Sequence, residues 1–136
     1  MKQAQKKGFR NEIGALGEQI AANYFKTKGF TIIGLNYLEK WGEIDIVAHE
    51  TEQMHFVEVK SVSYETKSKL TWAVTHETWR PEDNVHQAKL QRLTRTIASW
   101  IAKNNYRGEW QIDVMVIRVV TREKYATVKM ISNIII

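Results

Sequence analysis

Two short stretches, residues 43–48 and 55–60, alternate apolar and polar side chains with a period of two, and only a few polar residues separate them. The first sets Ile44 and Ile46 on one face and Glu43 and Asp45 on the other. The second sets Val57 and Val59 one way and Phe56, Glu58 and Lys60 the other. That period is the signature of strands. So short a connection predicts antiparallel neighbours. A fold containing this pair must be built on a sheet, and the sheet must carry acids inside apolar strands.

The rest of the chain supplies the layers around that pair. Ile13, Leu16, Ile20 and Tyr24 recur at helical spacing and predict a helix over 12–28, with Gly29 as its stop. Residues 30–38 read as a strand and 40–42 as a turn. Residues 61–80 show no clear periodicity and are expected to form a loop containing Trp72 and Trp79, long enough to suggest a functional role. A helix is predicted from Pro81 or Glu82 to Lys103. Pro81 suits its start, and Leu90, Leu93, Ile97, Trp100 and Ile101 form its apolar stripe. Residues 111–119 and 125–131 read as two more strands. The order predicts an α/β fold: a mixed five-stranded sheet flanked by two main helices, one on each face. The 136 residues suit one domain, expected over 11–136, after a basic, frayed tail at 1–10.

Composition removes several function classes. The chain has no cysteine, which excludes disulfides, cysteine-ligated zinc or iron–sulfur sites and a thiol nucleophile, and fits a reducing cytoplasm. Twenty Lys and Arg against fifteen Asp and Glu give a net charge of +5. That balance favours a polyanionic partner, although ordinary surface lysine accounts for it equally well. No apolar run approaches the ~20 residues that span a bilayer. The basic N-terminal residues lack the apolar stretch of a secretory signal. A cytoplasmic protein without membrane partners is expected.

The acids in the strands point to chemistry. Asp45 and Glu58 each sit among aliphatic residues, where a carboxylate is costly unless a cation or hydrogen-bond donors satisfy it. Lys60 lies two positions beyond Glu58 and shares its face. Two carboxylates can hold Mg²⁺ or Mn²⁺ in an oxygen-rich shell. The metal polarises a phosphate and activates water. Lys60 can orient or deprotonate that water, or stabilise charge on the phosphoryl oxygens. A buried structural ion pair is the plainer alternative, but it leaves one carboxylate without a partner. Glu43 is a supporting acid behind Asp45 or a solvent-facing residue.

The run from Gly42 (Gly-Glu-Ile-Asp-Ile-Val-Ala) with Phe56-Val-Glu-Val-Lys60 resembles the Asp…Glu-X-Lys core of PD-(D/E)XK nucleases, the restriction-endonuclease-like superfamily. The chain resembles more closely the YraN-like family of small predicted endonucleases. Gly14, Gly17, Glu18 and Ala21 match that family's Gly-x-x-Gly-Glu-x-x-Ala helix, and Asn36 its asparagine before the acidic strand. Lys89 matches the lysine of its basic helix, and residues 113–117 its Asp-Val-x-x-Ile strand. Archaeal Holliday-junction resolvases are similar, including a glutamate on the first helix. The resemblance implies a restriction-endonuclease-like core and a divalent-metal-dependent endonuclease acting on DNA. In that reading Asp45 and Glu58 ligate Mg²⁺ or Mn²⁺, and the Val59 carbonyl adds an oxygen. Glu18 ligates directly or through water, and Lys60 assists the nucleophile. At about 100° per residue, Glu18 falls outside the polar arc of Glu12, Gln19, Asn23 and Lys26. It lies near Gly14, Ala15, Ala21 and Ala22, where a helix can pack closely on a sheet. A surface glutamate at a stripe edge is the alternative.

Lys89, Arg92 and Arg95 lie off the apolar stripe of the second long helix and are candidates for phosphate contact, or simply form a solvated face. Nucleases of this class use a Gln or Lys on this helix near the metal. Gln87 and Lys89 both qualify by spacing, and the resemblance favours Lys89. Trp72 and Trp79, among Lys67, Lys69 and Arg80, could stack on unpaired bases or cover the core edge. His86 is a surface or capping residue before it is a proton shuttle. His49, His55 and His76 lack metal-ligand spacing. Asp113 reads as a strand cap. Ile131, Ile134, Ile135 and Ile136 suggest an edge strand or a self-association surface, hence a homodimer. No element suited to reading base sequence is evident, so recognition is expected to be structural (junction, flap or branch) or nonspecific. Two rivals stand: a non-catalytic nucleic-acid-binding module with a relic site, and an RNA-directed nuclease.

Overall fold

The computed structural model describes residues 2–76 and 87–134. The alternating stretches widen into β2 (Gly42–Glu50) and β3 (Gln53–Ser63), an antiparallel hairpin closed by Thr51 and Glu52. Two-residue hairpin loops require positive φ, and Thr51 adopts 52°. β1 (Thr31–Glu39) runs antiparallel to β2, β4 (Glu109–Val120) parallel to β3, and β5 (Tyr125–Ile131) antiparallel to β4. The sheet order is β1-β2-β3-β4-β5. The parallel β3–β4 step needs a long crossover, and its described parts are α2 (Lys67–His76) and α3 (Gln87–Lys103). α1 (Lys2–Thr27) precedes β1. The expected α/β architecture of the restriction-endonuclease-like class, with a mixed five-stranded sheet, is present.

Each face of the sheet has its own core. Ala21, Ala22 and Phe25 of α1 pack on Ile46, Val57, Met115 and Ile117. Leu93, Ile97 and Trp100 of α3 pack on Ile44, Val47, Phe56 and Ile112. Fully burying a side chain the size of Phe25 or Ile97 contributes about 1.5–3 kcal/mol, so the two layers supply the main driving force. Polar contacts fix the edges. Glu39 accepts hydrogen bonds from Lys103 Nζ at 2.5 Å, Tyr37 Oη at 2.6 Å and Ser99 Oγ at 3.0 Å, tying α3 to β1. The Lys103 ammonium holds the Glu39 carboxyl down at about 2. Asp113, fully buried inside β4 rather than capping it, lies 2.7 Å from His55 Nδ1. It also accepts from Gln111 Nε2 and the Asn133 N–H at 2.7 and 2.9 Å.

Several local expectations change. α1 starts at Lys2 instead of residue 12. Its first turns have no apolar period to reveal them, but Lys, Gln and Ala are strong helix formers. Its end is as expected, with Gly29 at φ 90° and the Phe30 N–H bonded to the Phe25 carbonyl at 3.0 Å. The expected 61–80 loop contains α2, capped by Thr66 Oγ1 on the Lys69 N–H. It buries only Leu70 and Ala73, too few positions to show as a period, and leaves Trp72 exposed and stacked on His76. Ile44 and Ile46 belong to opposite cores rather than one face. The β1–β2 ladder pairs Leu35 with Ile46 and Tyr37 with Ile44, and is interrupted between them at Asn36 and Asp45. Asn36 there takes a left-handed φ of 52° inside β1. Ile131 ends the edge strand β5, while Ile134 packs inward on the α3-side core and its N–H bonds to the Ile112 carbonyl at 2.7 Å. The expected helix start at Pro81 or Glu82, with Trp79, Arg80, His86, Ile135 and Ile136, lies outside the described residues. No helix among the described residues is long and apolar enough to cross a membrane.

Two glycines set the helix–sheet distance. A Cβ at Gly17 would lie 1.8 Å from Ser61 Oγ, so the Ser61 side chain of β3 fills the space where a side chain of α1 would stand. A Cβ at Gly42 would lie 2.7 Å from Thr96 Oγ1 of α3. Overpacking of this kind costs roughly 1–3 kcal/mol. Gly17→Ala should therefore lower stability by about that amount, and adding Ser61→Gly should restore part of it in urea unfolding. A Gly17→Ala variant as stable as the parent would mean that α1 does not pack this closely.

Candidate metal and phosphate site

The acids gather where β2 leaves β3. The β2–β3 ladder runs from Glu50–Gln53 to Ile46–Val57 and ends, whereas β1 stays beside β2 as far as Glu39–Gly42. Beyond that point a β3 backbone donor has lost its strand partner, and a side chain replaces it. Asp45 Oδ2 accepts the Val59 N–H at 2.7 Å. Asp45 is thereby held at the mouth of the split rather than across a regular ladder.

Glu18 arrives from α1, one residue beyond the Gly17 contact. Its carboxylate, with those of Glu43 and Asp45, forms a cluster whose oxygens lie within 4.8 Å of one another. Asn36 stands between two of them. With its amide nitrogen turned toward the acids, the orientation that satisfies both ends of the group, it donates to Glu43 Oε1 at 2.9 Å and Glu18 Oε2 at 3.0 Å. Glu58 lies deeper and pairs with Lys89 Nζ of α3 at 2.5 Å. A cavity of about 220 Å³ is lined by Glu43, Asp45, Glu58, Lys89 and Arg92. A second, of about 410 Å³, is lined by Glu18, Val59, Lys60, Ser61, Phe9 and Lys89.

The electrostatics report crowded negative charge. Burial pushes the Asp45 carboxyl up to about 8, and the Glu58 charge adds to the rise. The Val59 N–H opposes it. Glu18 is raised as well, by burial and then by Glu43, and is held back by hydrogen bonds from Asn36 and Asp45. Without a cation the cluster retains a proton at neutral pH. Three hard oxygen donors with unneutralised charge suit a divalent cation such as Mg²⁺ or Mn²⁺.

Glu18, Asp45, Glu58 and Lys60 therefore occupy one region, with Lys60 half-buried in the second cavity beside Glu18. Val59 is placed through its N–H to Asp45. Of the two α3 candidates, Lys89 reaches the acids, whereas Gln87 is exposed at the first residue of the helix. Arg92 lines the cavity, and Arg95 lies over the Trp41 ring at 4.3 Å. Two residues matter more here than their sequence context suggested. Glu43 is a full member of the cluster. Asn36, one mark of the family resemblance, bridges its acids. An asparagine in a Thr-, Ile- and Leu-rich strand was the available signal, since Asn tolerates positive φ.

Asp45 gives a signed pH prediction for the chelator-treated protein. Its folded value lies near 8 against 3.8 for a free aspartate. The folded state therefore binds more protons in that window, and stability falls as pH rises through it. Asp45→Asn keeps the acceptor for Val59 and removes the charge. Its melting temperature should exceed the parent's by a margin that widens from pH 4 to pH 8. Parallel pH profiles in thermal melts would contradict the assignment.

The sequence model of the Uncharacterised protein family UPF0102 matches residues 17–117. A UPF0102 protein of Campylobacter fetus is 36% identical over 106 residues, covering 76% of this chain and 81% of that protein. One of Campylobacter jejuni is 32% identical over 105 residues, covering 77% and 82%. One of Mycolicibacterium vanbaalenii is 32% identical over 113 residues, covering 81% and 83%. The matched span contains every acid of the cluster together with Asn36, Lys60 and Lys89, and the chain belongs to the UPF0102 family.

Proposed function

We propose that this UPF0102 protein is a divalent-metal-dependent endonuclease of the PD-(D/E)XK type that hydrolyses phosphodiester bonds in DNA. The observation that carries the reading is the meeting of Glu18, Glu43 and Asp45 within 4.8 Å, beside Glu58, at the split between β2 and β3. Asp45, Glu58, Glu18 and the Val59 carbonyl would hold Mg²⁺ or Mn²⁺, and Glu43 joins them as a ligand or as the acid that orients Glu18 through Asn36. When bound, the cation supplies the positive charge that polarises the scissile phosphate.

The chain's own residues supply the rest. The Val59 N–H fixes the Asp45 carboxylate before substrate arrives, so no reorganisation is needed there. Lys60 holds the attacking water and stabilises charge developing on the phosphoryl oxygens. Arg92 at the cavity and Arg95 on the same helix draw in backbone phosphates. With no element among the described residues arranged to read base edges, the protein selects branched or junction DNA by shape, or cuts without sequence preference. It acts in the cytoplasm.

Incubation with branched, single-stranded and duplex DNA, and with RNA, tests the reading. Cleavage of DNA that appears with Mn²⁺ and not with chelator is expected. Preferential cutting of RNA would favour an RNA-directed nuclease, and binding with neither cleavage nor Mn²⁺ uptake a non-catalytic module. Lys60→Ala should reduce cleavage roughly 100-fold or more while binding, followed by fluorescence anisotropy, changes little. Undiminished cleavage by that variant removes Lys60 from the mechanism.

A further inference from the structure

We propose that Lys89 is a displaceable stand-in cation, which neutralises Glu58 in the metal-free protein and surrenders that carboxylate when a divalent cation binds. The inference rests on the metal-site reading above and assigns Lys89 a part in it that proximity alone does not give.

Three observations converge on Lys89. The first is the pairing itself. Lys89 Nζ lies 2.5 Å from Glu58 Oε1, and the Glu58 side chain is 8% exposed while that of Lys89 is 41% exposed. The carboxylate is the fixed partner, and the ammonium sits on a flexible four-carbon stem that can leave. The second is the composition of the acid cluster. Glu18, Glu43 and Asp45 close to within 4.8 Å of one another, and Glu58 stands outside that set. Yet Glu58 and Asp45 line the same cavity. For Glu58 to turn its paired oxygen to a cation shared with Asp45, it exchanges its ammonium partner for that cation. The third is the position of Lys89 between the two cavities. It lines both the one holding Asp45 and Glu58 and the one holding Glu18 and Lys60, and among the described residues it alone lines both. Its ammonium is therefore within reach of both the Asp45–Glu58 side and the Glu18–Lys60 side of the site.

The physical logic is competition. An ionised buried carboxylate without a partner is strongly unfavourable, so an ionised Glu58 needs a cation beside it. A doubly charged ion at the same carboxylate attracts it more strongly than a single ammonium at similar distance. The exchange also leaves Lys89 as a free ammonium beside the place a phosphate must occupy. Lys89 thus acts before chemistry, by holding the site open to metal without collapse, and afterwards as a phosphate contact.

This differs from two plainer roles by sign. A merely structural lysine, once removed, leaves metal affinity unchanged or weaker. A lysine that only touches phosphate changes it no more than the loss of another cavity cation does, which Arg92→Met measures in the same series. A stand-in, once removed, makes metal bind tighter, because its competitor is gone. Calorimetric titration of the full chain with Mn²⁺ reads that sign. Lys89→Met should bind Mn²⁺ about tenfold tighter than the parent, the size of one charge-assisted hydrogen bond no longer displaced. Its metal-free melting temperature should be lower, and its gain in melting temperature on adding Mn²⁺ larger. Lys89→Gln, which keeps a donor but no charge, should behave alike and covers the case in which Lys89→Met does not fold. Mn²⁺ affinity equal to or weaker than the parent's in a folded variant overturns the proposal, and if Asp45→Ala abolishes Mn²⁺ binding in the same series the metal-site reading survives. Absence of Mn²⁺ binding by the parent overturns both.

Discussion

β2 cannot remain paired with β3 along its whole length and also give its acid to the site, and much of the molecule follows from how that conflict is resolved. The ladder ends at Ile46–Val57, and from Asp45 back to Gly42 the strand is carried by β1 alone. The Asp45 carboxylate takes the Val59 N–H in place of a backbone carbonyl. An orphaned buried N–H would be costly, so one side chain both repairs the sheet and is itself immobilised. On the β1 side Asn36 takes a left-handed φ of 52°. From there its amide reaches both Glu18 and Glu43. Gly17 and Gly42 then let α1 and α3 come in close on either side.

The repulsion within this arrangement is large on the scale of folding. Two unit charges 4.8 Å apart interact by about 3–4 kcal/mol at an effective dielectric near 20. A domain's net stability is roughly 5–15 kcal/mol, so three ionised acids and a fourth nearby cannot go unanswered. The answers are local and incomplete: the Asn36 amide, the Val59 N–H, the Lys89 ammonium, and a proton retained at Asp45. The strong packing lies deeper in the sheet, around Phe25 and Met115 on one face and Ile97 and Trp100 on the other. The fold is stabilised at some distance from the charges and tolerates strain at the split.

Much of this was legible in residue order because it is local. The period-two runs predicted the hairpin, and the stripe Leu90, Leu93, Ile97 predicted α3. Glu18 could be singled out because helical geometry separates it from the polar arc. What stayed hidden depends on the third dimension or on too few residues. α2 shows only Leu70 and Ala73 to the core. The N-terminal half of α1 has propensity without a stripe. The parity change at Asp45 is invisible to any pattern that assumes regular alternation, and it reassigns Ile44 and Ile46 to opposite faces. The membership of Glu43 is hidden for a related reason, since it depends on α1 bringing Glu18 to the sheet and on the reach of Asn36. Asp113 looked like a cap because its partners, His55 and the Asn133 N–H, are remote in sequence.

The same geometry bears on the order in which metal and substrate act. If a divalent cation releases Lys89 from Glu58, and a phosphate then engages the released ammonium, the two ligands share one displaceable element. Coupling between binding sites is reciprocal by thermodynamic necessity. A phosphate that holds Lys89 away from Glu58 must raise the affinity of that carboxylate for the cation by the factor by which the cation raises affinity for the phosphate. Neither ligand alone then gains the full attraction of the site. The split between β2 and β3 creates the acid cluster, and Lys89, which lines both of its cavities, couples the binding of the two ligands.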